Sequence, residues 1–115
     1  MEPMNEHDLT TPAGVAARRG EIQIVDVREP YEWEAGRIDG SVHLPLNDLM
    51  SGGGSDLDAG RPVAVVCRSG NRSELGALML QARGFDAHNL QGGLEAWDRE
   101  GRPLVTSTGD PGRVA

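Results

Sequence analysis

The sequence has no lysine, a single cysteine and no long apolar run, and each of these absences excludes a class of function. Without lysine, the chain has neither a Schiff-base residue nor the lysine of a phosphate-binding loop. One cysteine, Cys67, closes no internal disulfide and builds no multi-cysteine metal site. No segment reaches the roughly 20 apolar residues of a membrane span, and the acidic start at Glu2 is unlike a signal peptide. We therefore expect no metal, no cofactor, no membrane partner and a cytoplasmic location.

The charge balance argues against a nucleic-acid partner. The net charge is -7 and the pI is near 4.8, whereas nonspecific binding to nucleic acid needs a surplus of basic groups.

With 115 residues, 16 glycines and 7 prolines, the chain suits one compact domain of short elements joined by many turns. We expect an N-terminal extension at residues 1–7, a single domain at 8–105 and a flexible polar tail at 106–115.

Short helices and strands alternate along the predicted domain. The N-cap pattern Thr11-Pro12 predicts a first helix to about residue 19. Strands are predicted at 22–27, 41–44, 62–67 and 85–90, short helices at 30–35 and 94–99, and a glycine-rich surface loop at 51–60. A longer helix with the apolar stripe Leu75, Leu78, Met79 and Ala82 is expected to end at Gly84.

Cys67 ends the strongest strand pattern of the chain. Residues 62–66 form a continuous apolar run, typical of a central parallel strand that is covered on both faces. A tight polar loop and a helix follow, so Cys67 is expected in the crevice at the carboxyl ends of the strands, where open α/β sheets bind ligands. N–H groups of the loop and of the first helical turn would surround the sulfur and favour its thiolate form. Arg68 and Arg72 can add positive charge and hold an anionic substrate.

Two interpretations of Cys67 follow from its position alone. A lone cysteine at a strand end is often a small buried apolar residue. A packing cysteine, however, has no use for two arginines, two serines and a glycine within the next six residues. The composition of the loop therefore favours a functional, nucleophilic cysteine.

Three segments of the sequence resemble the rhodanese family. The loop Val66-Cys67-Arg68-Ser69-Gly70-Asn71-Arg72-Ser73 resembles the active-site loop of that family. Residues 26–30, with Glu32, Gly36, Ile38, Gly40 and 44–45, resemble its first signature, and residues 90–97 resemble its last. The resemblance covers roughly residues 8–105, and three short patterns in the right order are more specific than one.

The resemblance implies a small doubly wound parallel β-sheet with helices on both faces, and Cys67 as the nucleophile. It also implies a set of substrate-binding residues around the sulfur: Arg68, Ser69, Gly70, Asn71, Arg72 and Ser73. Cys67 would take the outer sulfur of thiosulfate, releasing sulfite, or that of a persulfide donor, and would pass it on to a thiol or to cyanide. Because the chain has no second cysteine, this acceptor must come from solution or from a partner protein.

The spacing of the loop separates this chain from the cysteine phosphatases. Those enzymes place five residues between the cysteine and the phosphate-binding arginine, whereas four residues separate Cys67 from Arg72, and the next position is Ser73. A phosphate would therefore lack its bidentate clamp. An arsenate-reducing relative would need the same larger loop and further thiols, which the chain lacks.

Four other residues keep two interpretations each. Asp26 and Arg28 follow the first strand and either support the pocket or, as the residue types favour, form a turn cap with an ion pair. Arg37 stands where many family members have a histidine, and lies either at the pocket rim or on the open surface. His43 is either a base for Cys67 or, as the spacing favours, a structural histidine.

Carboxylates and glycines near the signatures have structural interpretations. Glu29, Glu32 and Glu34 are spaced like a solvated helix face, so paired-carboxylate catalysis is not indicated. Gly92-Gly93 is expected to let the backbone pass close to the active-site loop. Trp97 is expected to anchor the core.

A function of another class also fits the loop. The domain could act as a sulfur carrier or persulfide sensor for one protein partner, with weak turnover of small molecules. Equal, brisk rates with cyanide and simple thiols would exclude that alternative.

Overall fold

Helices and strands alternate through residues 8–115, which are the residues that the computed structural model describes. The extension expected at 1–7 lies outside the described residues. The elements in chain order are α1 (Pro12–Ala17), β1 (Gln23–Asp26), α2 (Pro30–Ala35), β2 (Val42–His43), α3 (Leu46–Met50), β3 (Val63–Val66), α4 (Asn71–Ala82), β4 (Ala87–Asn89) and α5 (Gly93–Arg99). Within this range no helix has the length and apolar character needed to cross a membrane.

The four strands form one parallel sheet in the order β2-β1-β3-β4. Val25 in β1 lies between Val42 in β2 and Val65 in β3. The chain leaves β1 toward one edge of the sheet and returns on the other side of β1, at β3. This change of direction opens a crevice at the carboxyl ends of β1 and β3, the usual ligand site of a doubly wound sheet.

Alternate residues of the strands pack on opposite faces of the sheet. Ile24, Ala64 and Val66 belong to one core cluster, together with residues of α1 and α5 such as Val15, Leu94 and Trp97. Val25, Val63 and Val65 belong to the other cluster, together with Leu49 of α3 and with Ala77 and Leu80 of α4. Helices therefore cover both faces, and the predicted fold class and the inward position of Trp97 are confirmed.

Most of the apolar stripe predicted for α4 faces away from the core, although its Met79 is partly buried and packs against a core cluster. Leu75 and Leu78 are exposed by 44% and 56%, and Ala82 is also exposed. The buried residues are Ser73, Gly76, Ala77 and Leu80, which have the same helical spacing on another side. Small residues are needed there because α4 lies so close to the sheet that a Cβ at Gly76 would come within 3.2 Å of Val65 Cγ1.

Helix α3 had no counterpart in the prediction. Its Leu49 is fully buried between the sheet and α4. Five residues are too short for a helical period to show in a sequence. The helix is fixed by tertiary contacts instead.

The C-terminal segment, expected as a flexible tail from residue 106, contacts the end of α2 and the core. Val105 pairs with Arg37 through two backbone hydrogen bonds, and Arg113 N–H donates to the carbonyl of Ala35 at 2.9 Å. Val114 packs against the core cluster that contains Trp97. Backbone pairing, which leaves no mark in a polar sequence, holds residues 105–114 against the end of α2.

Candidate active site

The sulfur of Cys67 lies at the floor of a loop of backbone N–H groups. Cys67 is only 1% exposed. Its Sγ accepts hydrogen bonds from Gly70 N at 3.1 Å and Ser73 N at 3.4 Å, and the Ser73 hydroxyl oxygen lies within hydrogen-bonding distance at 3.2 Å. The loop closes this tightly because Gly70, the N-cap of α4, has φ +104, which favours glycine. Two backbone N–H groups, one hydroxyl group and the N-terminal end of a 12-residue helix all face the atom that would carry negative charge.

Helix α5 holds the outer side of the loop. The carbonyls of Cys67 and Arg68 accept from Leu94 N at 2.8 Å and Glu95 N at 3.0 Å. This requires very close approach, since a Cβ on Gly93 would lie 2.4 Å from the oxygen of Cys67. The predicted steric role of Gly93 is therefore confirmed, whereas a Cβ on Gly92 would meet Ala96 of its own helix.

The six predicted substrate-binding residues do not all face the sulfur. Gly70 and Ser73 are buried and contact it, whereas Arg68, Ser69 and Asn71 are exposed at the outer surface of the loop. Arg68 pairs with Glu95 on that surface at 3.1 Å. Such exposed pairs contribute little to stability.

Arg72 points to Glu32 rather than to open solvent. Its two terminal nitrogens donate to the two carboxylate oxygens of Glu32 at 2.7 and 2.9 Å. Glu32 also accepts from the backbone N–H of Glu29, completing the capping box that begins α2. The prediction that Glu32 lies on a solvated helix face was wrong, because this residue is 2% exposed. Much of the charge expected from Arg72 is thus matched by a buried carboxylate.

The Glu32–Arg72 pair makes stability depend on pH. Hydrogen bonds from Arg72 hold the pKa of Glu32 below its ordinary value of 4.5, although burial acts in the opposite direction. The same pair raises the pKa of Arg72. Because the pKa of Glu32 is lower in the folded than in the unfolded chain, the stabilisation is present above 4.5 and is lost as the pH falls through the folded-state value.

We expect Glu32→Gln to lower the free energy of unfolding by about 1–2 kcal/mol near neutral pH, where it removes one charge of the pair. The difference from wild type should shrink in acid, where wild-type Glu32 also becomes neutral. Urea denaturation at neutral and acidic pH measures both values. Glu34→Gln, on the exposed side of the same helix, is the matched control and should change little at either pH. An equal loss in the two variants would contradict the assigned role of Glu32.

Asp26 and Arg28 form a fully buried ion pair at the end of β1. Arg28 Nη2 donates to Asp26 Oδ2 at 2.8 Å and to the carbonyl of Gly36 at 2.7 Å, and its Nε donates to Asp26 Oδ1 at 2.9 Å. Both side chains are 0% exposed. These contacts support the interpretation as a turn cap with an ion pair that ties β1 to the end of α2.

His43 and Arg37 both contact the indole ring of Trp33 in α2. The His43 ring is parallel to the Trp33 ring at 4.6 Å, and its Nε2 donates to the carbonyl of Arg28 at 2.8 Å. The Arg37 guanidinium lies 4.4 Å from the Trp33 ring centroid. Both residues therefore have structural contacts, and neither is among the donors to the Cys67 sulfur.

Asn89 is the site residue that the sequence analysis missed. It ends β4, next to β3, and its side chain contacts both Gly70 and Ser73. The signal that could have indicated Asn89 was a polar residue at the carboxyl end of a predicted strand, directly before the apolar Leu90.

Comparisons with known proteins agree with this geometry. Residues 11–100 match the rhodanese-like domain family. A protein of Pseudomonas paraeruginosa named thiosulfate sulfurtransferase GlpE is 39% identical over 95 residues, covering 81% of this chain and 84% of the relative. The protein of the same name from Pseudomonas fluorescens is 38% identical over 113 residues, covering 94% of this chain and 99% of the relative. The crystal structure of a rhodanese-related protein from Thermoplasma volcanium has a TM-score of 0.78 at 30% identity, covering 83% of this chain and 94% of that one.

Proposed function

The chain belongs to the rhodanese-like domain family and is a rhodanese-type sulfurtransferase, and we propose that Cys67 carries the transferred sulfur as a covalent persulfide. The observation that supports this role is the convergence of two backbone N–H groups and one hydroxyl on the Cys67 sulfur. Such donors stabilise the thiolate that must act as the nucleophile.

The first half-reaction loads the enzyme. The Cys67 thiolate attacks the outer sulfur of thiosulfate, a new S–S bond forms, and the original S–S bond breaks as sulfite leaves with its electron pair. Negative charge then moves to the outer sulfur of the persulfide. The N–H groups at the start of α4 have no acceptor within the helix, so they are the donors available to bind this charge.

The second half-reaction needs an external acceptor. A thiol or cyanide attacks the outer sulfur, and Cys67 leaves as the thiolate. Because Cys67 is the only cysteine of the sequence, no second thiol of this chain can take the sulfur. The kinetics should therefore be of the ping-pong type.

Ser73 supports sulfur transfer over phosphate transfer. It occupies the position of the phosphate-binding arginine of cysteine phosphatases, but its side chain is 0% exposed and directed at the sulfur. Arg72, one position earlier, is held by Glu32. A tetrahedral phosphate would therefore find no free bidentate clamp over Cys67.

Intact mass tests the proposal. Thiosulfate should add one sulfur atom to the wild-type protein, and cyanide should then remove it. Cys67→Ser, treated in parallel, should gain nothing. An adduct on the serine variant, or no adduct on wild type with either thiosulfate or a low-molecular-weight persulfide, would contradict the role assigned to Cys67.

A further inference from the structure

Asn89 joins two residues of the loop that surrounds the reactive sulfur, Gly70 and Ser73. Its Oδ1 accepts from Ser73 Oγ at 2.5 Å, and its Nδ2 donates to the carbonyl of Gly70 at 3.0 Å. The Ser73 hydroxyl also lies 3.2 Å from Cys67 Sγ. One hydroxyl thus has two possible acceptors, the amide oxygen of Asn89 and the sulfur.

The Gly70 carbonyl fixes the direction of these hydrogen bonds. A carbonyl only accepts, so the amide nitrogen of Asn89 must face Gly70 and the amide oxygen must face Ser73. An amide oxygen only accepts as well, so the single hydroxyl proton of Ser73 must point to Asn89 for that bond to form. The Cys67 thiol can then donate to Ser73 Oγ. In this series the thiol, the hydroxyl group and the amide nitrogen each donate to one acceptor.

Ionisation of Cys67 changes this arrangement. A thiolate accepts but cannot donate, and it is best stabilised when the Ser73 proton turns toward it, which breaks the bond to Asn89. We propose that Asn89 is a positioning residue that holds the Ser73 proton away from Cys67 and so opposes formation of the free thiolate. The role is conveyed entirely through Ser73.

The charged groups around Cys67 take no part in the hydrogen bonds that join Cys67, Ser73 and Asn89. Arg72 of α4 is paired with Glu32 of α2. The Asp26–Arg28 pair ends the neighbouring strand β1, and the Arg68–Glu95 pair lies on the outer surface. None of these six residues is a hydrogen-bond partner of Asn89 in the part of the chain that the structure describes. A substitution of Asn89 therefore leaves the charges in place.

For the transfer reaction, which rests on the proposed function of Cys67, Asn89 would favour the loaded state. In the persulfide the negative charge has moved to the outer sulfur, so Sγ no longer needs the Ser73 proton. That proton can return to Asn89. The hydrogen bond between Ser73 and Asn89 is broken in the free thiolate and restored in the persulfide. This difference favours attack of the thiolate on the sulfur donor.

A double-mutant cycle on thiol ionisation tests the proposal. The ultraviolet absorbance of the thiolate is followed against pH, with Cys67→Ser as the blank, and a single cysteine makes the signal unambiguous. Asn89→Leu keeps the shape of the side chain but removes both polar groups, and it is measured with Ser73 intact and with Ser73→Ala. We expect Asn89→Leu to lower the ionisation midpoint of Cys67 when Ser73 is present. This decrease should exceed the one in the Ser73→Ala background by about 0.5–1 pH unit.

A purely structural role gives another pattern. Loss of the bond to Gly70 would loosen the loop and shift the midpoint equally in the two backgrounds, which would overturn the proposal. Asn89→Ala replaces Asn89→Leu if thermal unfolding shows that the larger residue is not accommodated. The titration needs no sulfur donor, so a failure of sulfur transfer and an absence of proton steering would give different results.

Discussion

Asp26→Ala is expected to lower the free energy of unfolding by about 3–5 kcal/mol, because it leaves the charge of Arg28 buried without its partner. The guanidinium is 0% exposed and, among residues 8–115, has only one other acceptor, the carbonyl of Gly36. Its Nη1 has no hydrogen-bond partner among the described residues, so the site has no spare acceptor to replace the carboxylate. Urea denaturation near neutral pH measures the loss.

The matched control removes both charges together. Asp26→Leu combined with Arg28→Met should recover a large part of the lost stability, because no unpaired charge remains in the core. If the pair is structural, Asp26→Ala should still acquire sulfur from thiosulfate under conditions in which it is folded. A stable Asp26→Ala protein that cannot be loaded with sulfur would instead assign the pair to the pocket.

The central part of the fold could be predicted because local pattern and tertiary environment agree there. Residues 63–66 are apolar throughout and are buried on both faces, as a central parallel strand requires. Helix α2 has its predicted bounds because Pro30 and Gly36 mark its two ends in the sequence. The loop between Cys67 and Ser73 was predicted for the same reason, since its residue types suit a turn and a helix N-terminus.

Contacts between distant segments could not be predicted in this way. The 12 residues of α4 include apolar side chains on more than one side, and only the close approach of the sheet selects the small face at Gly76 and Ala77. Glu32 and Arg72 are 40 positions apart, so the sequence reveals both charges but not their pairing. The order of the strands brings α2 and the loop to the same end of the sheet, and the pair follows from that placement.

Replacing Gly93 by alanine is expected to give the largest loss of sulfur transfer among substitutions outside the loop. The new Cβ would lie 2.4 Å from the carbonyl oxygen of Cys67 and 2.5 Å from that of Arg68, in a residue with φ +59. Relief of these contacts must move α5 away from the loop or push the loop toward the sulfur. Since misplacement of a reacting group by about 1 Å can cost about 100-fold in rate, we expect kcat/KM with thiosulfate to fall by about that factor.

Gly101→Ala separates the effect of this contact from the effect of backbone strain. Gly101 also has a positive φ, of +76, but a Cβ there would meet nothing within 4 Å. The Gly101→Ala variant should therefore lose about 1–3 kcal/mol of stability from the strained backbone while keeping its rate of sulfur transfer. Equal rates in the two variants would mean that α5 does not hold the loop in its reactive shape. A loss confined to Gly93→Ala would instead show that the two carbonyls bound by α5 keep the N–H groups of the loop directed at the sulfur.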